Sequence, residues 1–428
     1  MARILFVHNN FPGRFEFLLP ALRLQGHQIA AIAQGGQKVD GVQLLLWKGR
    51  RPNTPGIFDL ALRAETDFMR GRAAADRALE LKQAGFEPDL IIGHPAWGET
   101  LFMKEIFPKA RQILVGEFYY RSGGGDVGFD REFENPTMDD NFLVHAKNAA
   151  LAMAYAEADR IVCPTPFQAS VFPPAFQDRT AIIHEGVDTD RVRPIPGASL
   201  RLRGKTVLDG SAPVITFINR NFEPMRGFHI MMRALPALLA AVPDVHVLMI
   251  GNDRAKGYGL RAPDGSTWRA LLTKELQGQI DGSRVFFTGQ VPYDVMLSAL
   301  SISWAHVYYT YPFVLSWSVL EAMACKCLIL GSDTAPLRDA IRTGENGMLH
   351  DFFGVDALSR AMIDACRNRK RFDTMREAAR QTILDGFDRQ SVCLPAWLRL
   401  IEEYLPSRSA HPVAQQPSEP GKRLTQQA

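Results

Sequence analysis

Apolar residues in this chain fall into two kinds of run, short continuous blocks and longer stretches of helical periodicity, and the two alternate. In the first half the short blocks are RILFVH (3–8), QIAAIA (28–33), DLIIGH (89–94), QILVGE (112–117), RIVCP (160–164) and AIIHEG (181–186). A short block without polar alternation predicts a strand buried on both faces, as in a parallel sheet covered by helices. Between the blocks lie helical stretches such as FEFLLPALRLQG and the long segment 57–85, which closes on Gly85 as a C-cap.

A second series has the same rhythm: VITFIN (214–219), VHVLMIG (245–251), RVFFTG (284–289), WAHVYYT (304–310), CLILGS (327–332) and GMLHD (347–351). The stretch before it, RPIPGASLRLRGKTVLDGSAP, mixes Pro, Gly and charge and reads as a linker. The expected organisation is α/β. Residues 1–195 form one doubly wound parallel-sheet domain, 196–212 the linker and 213–385 a second such domain. Residues 386–405 form a helix packing back on the first domain, and 406–428 a polar, disordered tail. Ligands of such sheets bind outside the carboxyl ends of the strands, so the residues just after each strand become the candidates.

Composition narrows the class. The 428 residues exceed one ordinary core, and 46% hydrophobic with 22% charged content is that of a globular protein. A net charge of +3 gives no argument for nucleic acid, and none is expected as a partner. The five cysteines are odd in number and scattered, so no disulfide framework is expected, and Cys325 and Cys327 read as small buried residues. The start MARILFVHNNFPG is too short an apolar run for a signal peptide, and no segment has 18 consecutive apolar residues. A cytoplasmic location is the expectation.

Several polar residues follow strands directly. His94 comes after DLIIG, and His8, Asn9 and Asn10 lead to Gly13, which permits close backbone approach at a helix start. A loop His or Gly is also a common structural device, and both readings stand. Arg220 and Arg226 flank a Pro-containing turn after VITFIN and open a helix with Ile230, Met231, Ala234 and Leu235 on its apolar face. Two guanidiniums in that position suit a diphosphate, which they grip bidentately; the alternative is two solvated arginines.

Glu321 also has two readings. In one it completes a capping box with Ser318. In the other it accepts hydrogen bonds from sugar hydroxyls near a helix start, where the amides of Leu315, Ser316 and Trp317 could meet phosphate oxygens. The loop RSGGGDVGFDREFENPTMDD carries Asp126, Asp130, Glu132, Asp139 and Asp140, but its spacing matches no known metal loop. It reads as solvated and flexible, so no metal is expected. The absence of G-x-G-x-x-G disfavours a dinucleotide-dependent dehydrogenase.

In combination these segments resemble glycosyltransferase family 4, whose members have the GT-B fold, two Rossmann-like parallel-sheet domains facing each other across a cleft. The resemblance extends to about residue 405. It is carried by FINRNFEPMRGFHIMMRALPALL, RVFFTGQVPYDVMLSAL, LEAMACKCLILGSDTAPLRDAIRTGENGML and HEGVDTDRVRP, in the family's order. It implies that Arg220 and Arg226 hold the donor diphosphate, Arg226 standing where a Lys is usual. It also implies that Glu321 binds the nucleotide ribose, that His94 lies near the transferred sugar, and that Gly13 faces donor and acceptor.

The family's first motif Glu should lie eight positions before Glu321, where this chain has Phe313. The loop YPFVLSW resembles that of a bacterial subgroup with the same feature, so Phe313 reads as a subgroup trait that alters the sugar pocket. The resemblance implies a retaining hexosyltransferase. Its nucleoside-diphosphate sugar would be a co-substrate, with no cofactor and no metal, and its acceptor a saccharide or lipid-linked molecule of cell-surface glycan biosynthesis. Arg63, Arg70, Arg72 and Arg77 on the long first helix suggest peripheral contact with the inner membrane face, although Asp67, Asp76 and Glu80 dilute that charge. Two rivals are a phosphorylase or sucrose-synthase-like enzyme of the same fold and a non-catalytic nucleotide-sugar-binding protein.

Overall fold

The computed structural model describes residues 1–49, 51–202 and 206–406. Two parallel sheets organise the chain. The first, of seven strands, runs in the order Val42–Leu46, Gln28–Ala33, Arg3–Val7, Leu90–Gly93, Arg111–Val115, Arg160–Cys163, Thr180–Ile182. The second, of six, runs Val285–Gly289, His246–Asn252, Val214–Asn221, Ala305–Tyr308, Leu328–Ser332, Met348–His350. Each is an α/β doubly wound sheet, and together they make the GT-B fold.

The central strands form because both of their faces can be buried. Ile4, Leu5, Phe6 and Val7 have no exposed surface, nor do Leu90, Ile91 and Ile92. Branched side chains on such a strand pack against helices above and below the sheet. The strand Val42–Leu46 was not among the expected blocks. It lies at the sheet edge, half-buried, so its apolar signal is weaker.

In each sheet the chain reverses its strand order at the first strand, and the topology opens a crevice there. In the first domain Arg3–Val7 lies between Gln28–Ala33 and Leu90–Gly93, with Val7 beside Gly93. His8 and His94 therefore leave the sheet side by side. In the second domain Val214–Asn221 lies between His246–Asn252 and Ala305–Tyr308. Arg220 and the residues after Tyr308 emerge together for the same reason.

Three parts of the chain differ from, or add to, the sequence expectation. The stretch 196–212 contains a short antiparallel pair, Leu200–Arg201 with Val207–Leu208, and Leu208 is buried in the second domain's core beside Leu297 and Ile302. Leu200 and Leu202 pack against the same core. The helix Leu394–Tyr404 packs Trp397, Leu400 and Ile401 against Ile4, Phe6 and Phe15 of the first domain. The tail expected from residue 406 onward lies, beyond Pro406, outside the described residues.

The third is the loop 121–140, which does not behave as a solvated acidic loop. Phe129 reaches the second domain and stacks near Tyr311, Phe352 and Phe353, with ring centroids 5.0, 5.2 and 5.4 Å away. Phe133 lies edge-on to Trp268 at 4.8 Å. Asp130, 1% exposed, accepts from the Tyr311 hydroxyl at 3.0 Å and lies 3.0 Å from His229 Nε2. Glu132 pairs with Arg233 at 2.6 Å. The two phenylalanines drive this arm across the interface, and the acids find partners where they land.

Candidate functional site

The first-domain wall of the crevice is a buried charge network. Arg14 donates to Glu117 Oε1 at 3.0 Å and lies 3.1 Å from Glu185 Oε1. His94 Nε2 lies 3.2 Å from Glu117 Oε2. Glu117 follows the strand Arg111–Val115 as His94 follows Leu90–Gly93, so both obey the strand-end rule. Burial opposes the Glu117 charge, but Arg14, His94 and His8 outweigh it and hold the carboxyl below its ordinary range. About a third of that side chain (36%) stays exposed.

The imidazoles on this wall are held neutral. Burial, reinforced by Arg14, lowers the His94 pKa despite its carboxylate partner. Burial, His94 and Arg14 push His8 down from 6.5 to about 3. His8, His94 and Trp97 form a cluster, with ring centroids 5.6 Å apart for the two histidines and 4.8 Å for His94 and Trp97. Gly13 sits against it at φ +50°, where a Cβ would approach His8 Cε1 to 2.5 Å. The structure thus gives Gly13 a packing role beside the predicted site, independent of any ligand.

The second-domain wall carries the arginines. Arg226 ends the turn Pro224–Arg226, which Gly227 closes at φ +67° with its α-carbon pressed on Tyr309; a Cβ there would meet Tyr309 Cβ at 2.2 Å. Its Nη1 donates to the Tyr308 hydroxyl at 3.0 Å, to Thr310 Oγ1 at 2.8 Å and to the Val314 carbonyl at 3.3 Å. The Ser316 amide donates to the same Tyr308 hydroxyl at 3.1 Å. Of the three amides expected to meet phosphate, that of Ser316 therefore already has a protein partner.

Arg220 has a different neighbour. It is exposed and donates to the Tyr258 hydroxyl at 2.6 Å, with its guanidinium 5.1 Å from that ring's centroid. Both arginines act on Glu223, a buried carboxyl that accepts from the Gly259 amide at 2.8 Å. Burial raises the Glu223 pKa and the two cations oppose the shift.

Glu321 is not part of a capping box. The helix Trp317–Ala324 is capped by Ser316, whose side chain accepts from the Ser318 amide, so Ser318 already lies inside the helix. Glu321 instead accepts from the Tyr293 hydroxyl at 2.6 Å. Burial raises its pKa, with Tyr293 and Arg389 opposing. Trp317 and Glu321 line a cavity of about 270 Å³ together with Gly186, Asp188, Tyr293 and Arg389. Leu315 contributes its side chain to the core and is 6% exposed.

Phe313 joins the two walls. Its ring lies 4.7 Å from that of Phe118, next to Glu117, and the Arg226 guanidinium lies 5.7 Å from its centroid. The structure places His94 and Arg226 on the two walls and Trp317 and Glu321 on the small cavity, and the sequence reading did not name the residues that hold them. Arg14, Glu117 and Glu185 secure one wall; Tyr308, Thr310 and Tyr293 the other. Glu117 and Tyr308 fall within apolar blocks that predict strands, and only their position at a strand's carboxyl end marks them.

Among the described residues one trio has ligand atoms close enough for a metal ion: Asp130, Glu132 and His229. Its carboxylates already accept from Tyr311 and Arg233. Among the described residues no helix is long and apolar enough to cross a membrane. On the helix Leu62–Gln83, Arg63 pairs with Asp67 at 2.7 Å, Arg72 with Asp76 at 2.9 Å and Arg77 with Glu80 at 2.6 Å.

Comparison with known proteins agrees with this architecture. Residues 25–192 match the glycosyl transferase family 4 group, and residues 200–382 match the glycosyl transferases group 1. A GDP-mannose-dependent alpha-(1-6)-phosphatidylinositol monomannoside mannosyltransferase of Mycolicibacterium smegmatis is 27% identical over 65% of this chain and 69% of its own length. A D-inositol 3-phosphate glycosyltransferase of Rhodococcus jostii is 28% identical over 46% of this chain, which spans only 42% of that relative. Among solved structures, a sucrose-phosphate synthase from Thermosynechococcus elongatus superposes with a TM-score of 0.67 at 16% identity, covering 94% of this chain and 99% of that one. Anabaena HepE in complex with UDP-glucose superposes at 0.65 and 13% identity, over 94% and 100%.

Proposed function

For a chain that belongs to the family 4 glycosyltransferases, we propose that the crevice transfers a hexose from a nucleoside-diphosphate sugar to an acceptor hydroxyl with retention of configuration. The observation that carries this reading is Arg226, fixed by Tyr308, Thr310 and Val314 at the second sheet's reversal point. As the bond from the anomeric carbon to phosphate breaks, its electron pair passes to the diphosphate. Arg226 and Arg220 stabilise that growing charge more than they stabilise the ground state. The acceptor oxygen bonds to the anomeric carbon on the same face, and its proton goes to the departing phosphate oxygen.

Glu321, set by Tyr293, accepts from the ribose hydroxyls, while neutral His94 and Glu117 face the transferred sugar. Relatives point to the donor class: the Mycolicibacterium enzyme is named for GDP-mannose, and HepE was solved with UDP-glucose. With two arginines available for the diphosphate, the reaction needs no metal. The acceptor is a saccharide or lipid-linked molecule of surface glycan assembly, and the protein acts in the cytoplasm, meeting lipid-linked acceptors at the inner membrane face.

The test is a thermal-shift panel of UDP, GDP, ADP, dTDP and their sugar conjugates, with and without chelator, on wild type and Glu321→Ala. Ligand at 100 times its Kd should add about 2.7 kcal/mol of stability. A shift with one nucleotide family, unchanged by chelator and lost in the variant, is the expected result. No shift with any nucleotide would overturn the reading.

A further inference from the structure

The arm 121–140 meets the second domain at a specific place, the start of the loop that carries Phe313. Asp130, buried there, uses its two carboxylate oxygens differently. Oδ1 accepts from the Glu132 amide at 3.0 Å, which fixes the group's orientation on its own loop. Oδ2 accepts from the Tyr311 hydroxyl at 3.0 Å and lies 3.0 Å from His229 Nε2. Burial opposes the Asp130 charge, yet His229, the Glu132 amide and Tyr311 outweigh it and hold the carboxyl below its ordinary range. The group is therefore an ionised acceptor to which the Tyr311 hydroxyl donates.

Tyr311 in turn touches both supports of Arg226. Its amide donates to the Met225 carbonyl at 2.9 Å, inside the turn Pro224–Arg226. Its carbonyl accepts from the Phe313 amide at 2.7 Å, and the Phe313 ring and the Val314 carbonyl are neighbours of Arg226. The Tyr311 ring packs near Phe129 of the arm and Phe352, with centroids 5.0 and 5.3 Å away. Stability alone gives no reason for a buried acid at this point. Replacing a buried ionic group by apolar residues of like volume is often neutral or stabilising, and Phe129 and Phe133 already fasten the arm.

We propose that Asp130 is a positioning residue for the donor site, reaching from the first domain to set Tyr311 and, through it, the turn and loop that hold Arg226. The inference rests on the transfer reading above and adds a regulation of that site. Arg226 is directed by two hydroxyls and a carbonyl, so its aim is only as firm as the loop that supplies them. The nucleotide is gripped while the arm spans the crevice, and withdrawal of Asp130 as the domains part loosens that grip.

Two readouts on the full chain test this. Hydrogen exchange without ligand follows the amides of 223–228 and 311–318, and calorimetric titration with UDP and GDP follows the donor site. The variants are Tyr311→Phe, Asp130→Ala, the two combined, and Glu132→Gln. The last breaks the arm's half-exposed pair with Arg233 and leaves the Asp130–Tyr311 contact in place. Tyr311→Phe keeps the ring in its packing and carries the test even where Asp130→Ala fails to fold.

Tyr311→Phe and Asp130→Ala should each speed exchange in both segments and weaken nucleotide binding by about tenfold, the scale of one hydrogen bond to a charged group. The combined variant should weaken it no further than Asp130→Ala, and Glu132→Gln should stay within about twofold of wild type. The proposal is overturned if exchange in both segments is unchanged, if nucleotides bind the variants as they bind wild type, or if Glu132→Gln weakens binding as much as Asp130→Ala. Faster exchange in the variants of a chain whose wild type binds no nucleotide would sink the transfer reading and leave the hold of Asp130 on the loop standing.

Discussion

The two walls of the crevice occupy the same topological position in their sheets, yet they spend their charges differently. On the first-domain wall every charge has a charged partner: Arg14 answers both Glu117 and Glu185, and Glu117 also meets His94. On the second-domain wall Arg226 is held by two hydroxyls and a carbonyl, and Arg220 by one hydroxyl. Hydroxyl and carbonyl partners orient a guanidinium without neutralising it. The first wall is thus built to keep its shape, whereas the second keeps positive charge for a ligand. A substitution on the first wall should therefore show up mainly as lost stability, and one on the second mainly as lost rate.

The largest expected effect breaks the first wall. Arg14→Met leaves Glu117 and the buried Glu185 without their cation, and removing one partner of a buried pair costs about 3–5 kcal/mol. Urea denaturation should show that loss; a change under 1 kcal/mol would mean that the network is not what holds this wall. Next comes the second wall. Arg226→Ala should leave the denaturation midpoint nearly unchanged while lowering kcat/KM by about 100- to 1000-fold, or about 2.7–4 kcal/mol of barrier. Loss of stability without loss of rate would invert the comparison.

Acidity probes the same contrast. His8 is neutral in the folded chain with a pKa of about 3, against 6.5 when unfolded. A depressed folded pKa means that the unfolded chain binds the proton first, so its stability contribution is whole above pH 6.5 and is lost as pH falls toward 3. Between pH 7 and pH 5 that loss is about 2 kcal/mol. His306, buried in the second domain and pushed to about 3 by burial, adds a similar slope. His8→Gln should remove its share, and denaturation midpoints at the two pH values check this. An undiminished slope in the variant would show that His8 is not the group responsible.

How much of this was legible in the sequence follows from where the signals lie. The strands were readable because buried parallel strands are continuous apolar blocks, and the reversal points follow from strand order. Arg226 and Glu321 were readable because they flank such blocks. The partners were not. Tyr308 and Glu117 sit at strand ends, where one residue separates a buried strand position from a crevice position. Tyr293 meets Glu321 across a sequence gap that no local pattern marks. The loop 121–140 misled for a physical reason: its glycines and acids signal a solvated loop, while Phe129 and Phe133, which decide its course, are only two aromatic residues among many polar ones.

The smallest expected effect lies where the walls touch. The Phe118 and Phe313 rings are edge-on at 4.7 Å, one from each domain, and Arg226 lies over Phe313. The pair does two things at once: it links the walls without charge, and it gives Arg226 a neutral neighbour at the position where the family resemblance implies a carboxylate. An aromatic pair of this geometry is worth about 0.5–1.5 kcal/mol beyond burial. A double-mutant cycle with Phe118→Leu and Phe313→Leu should recover that coupling from denaturation midpoints. Phe313→Glu sharpens the point, since a carboxylate there would pair with Arg226 and neutralise the charge that the second wall keeps free. Its kcat with the preferred donor should fall about tenfold. A variant as active as wild type would show that Arg226 tolerates a charged partner, and the contrast between the walls would then rest on Arg220 alone.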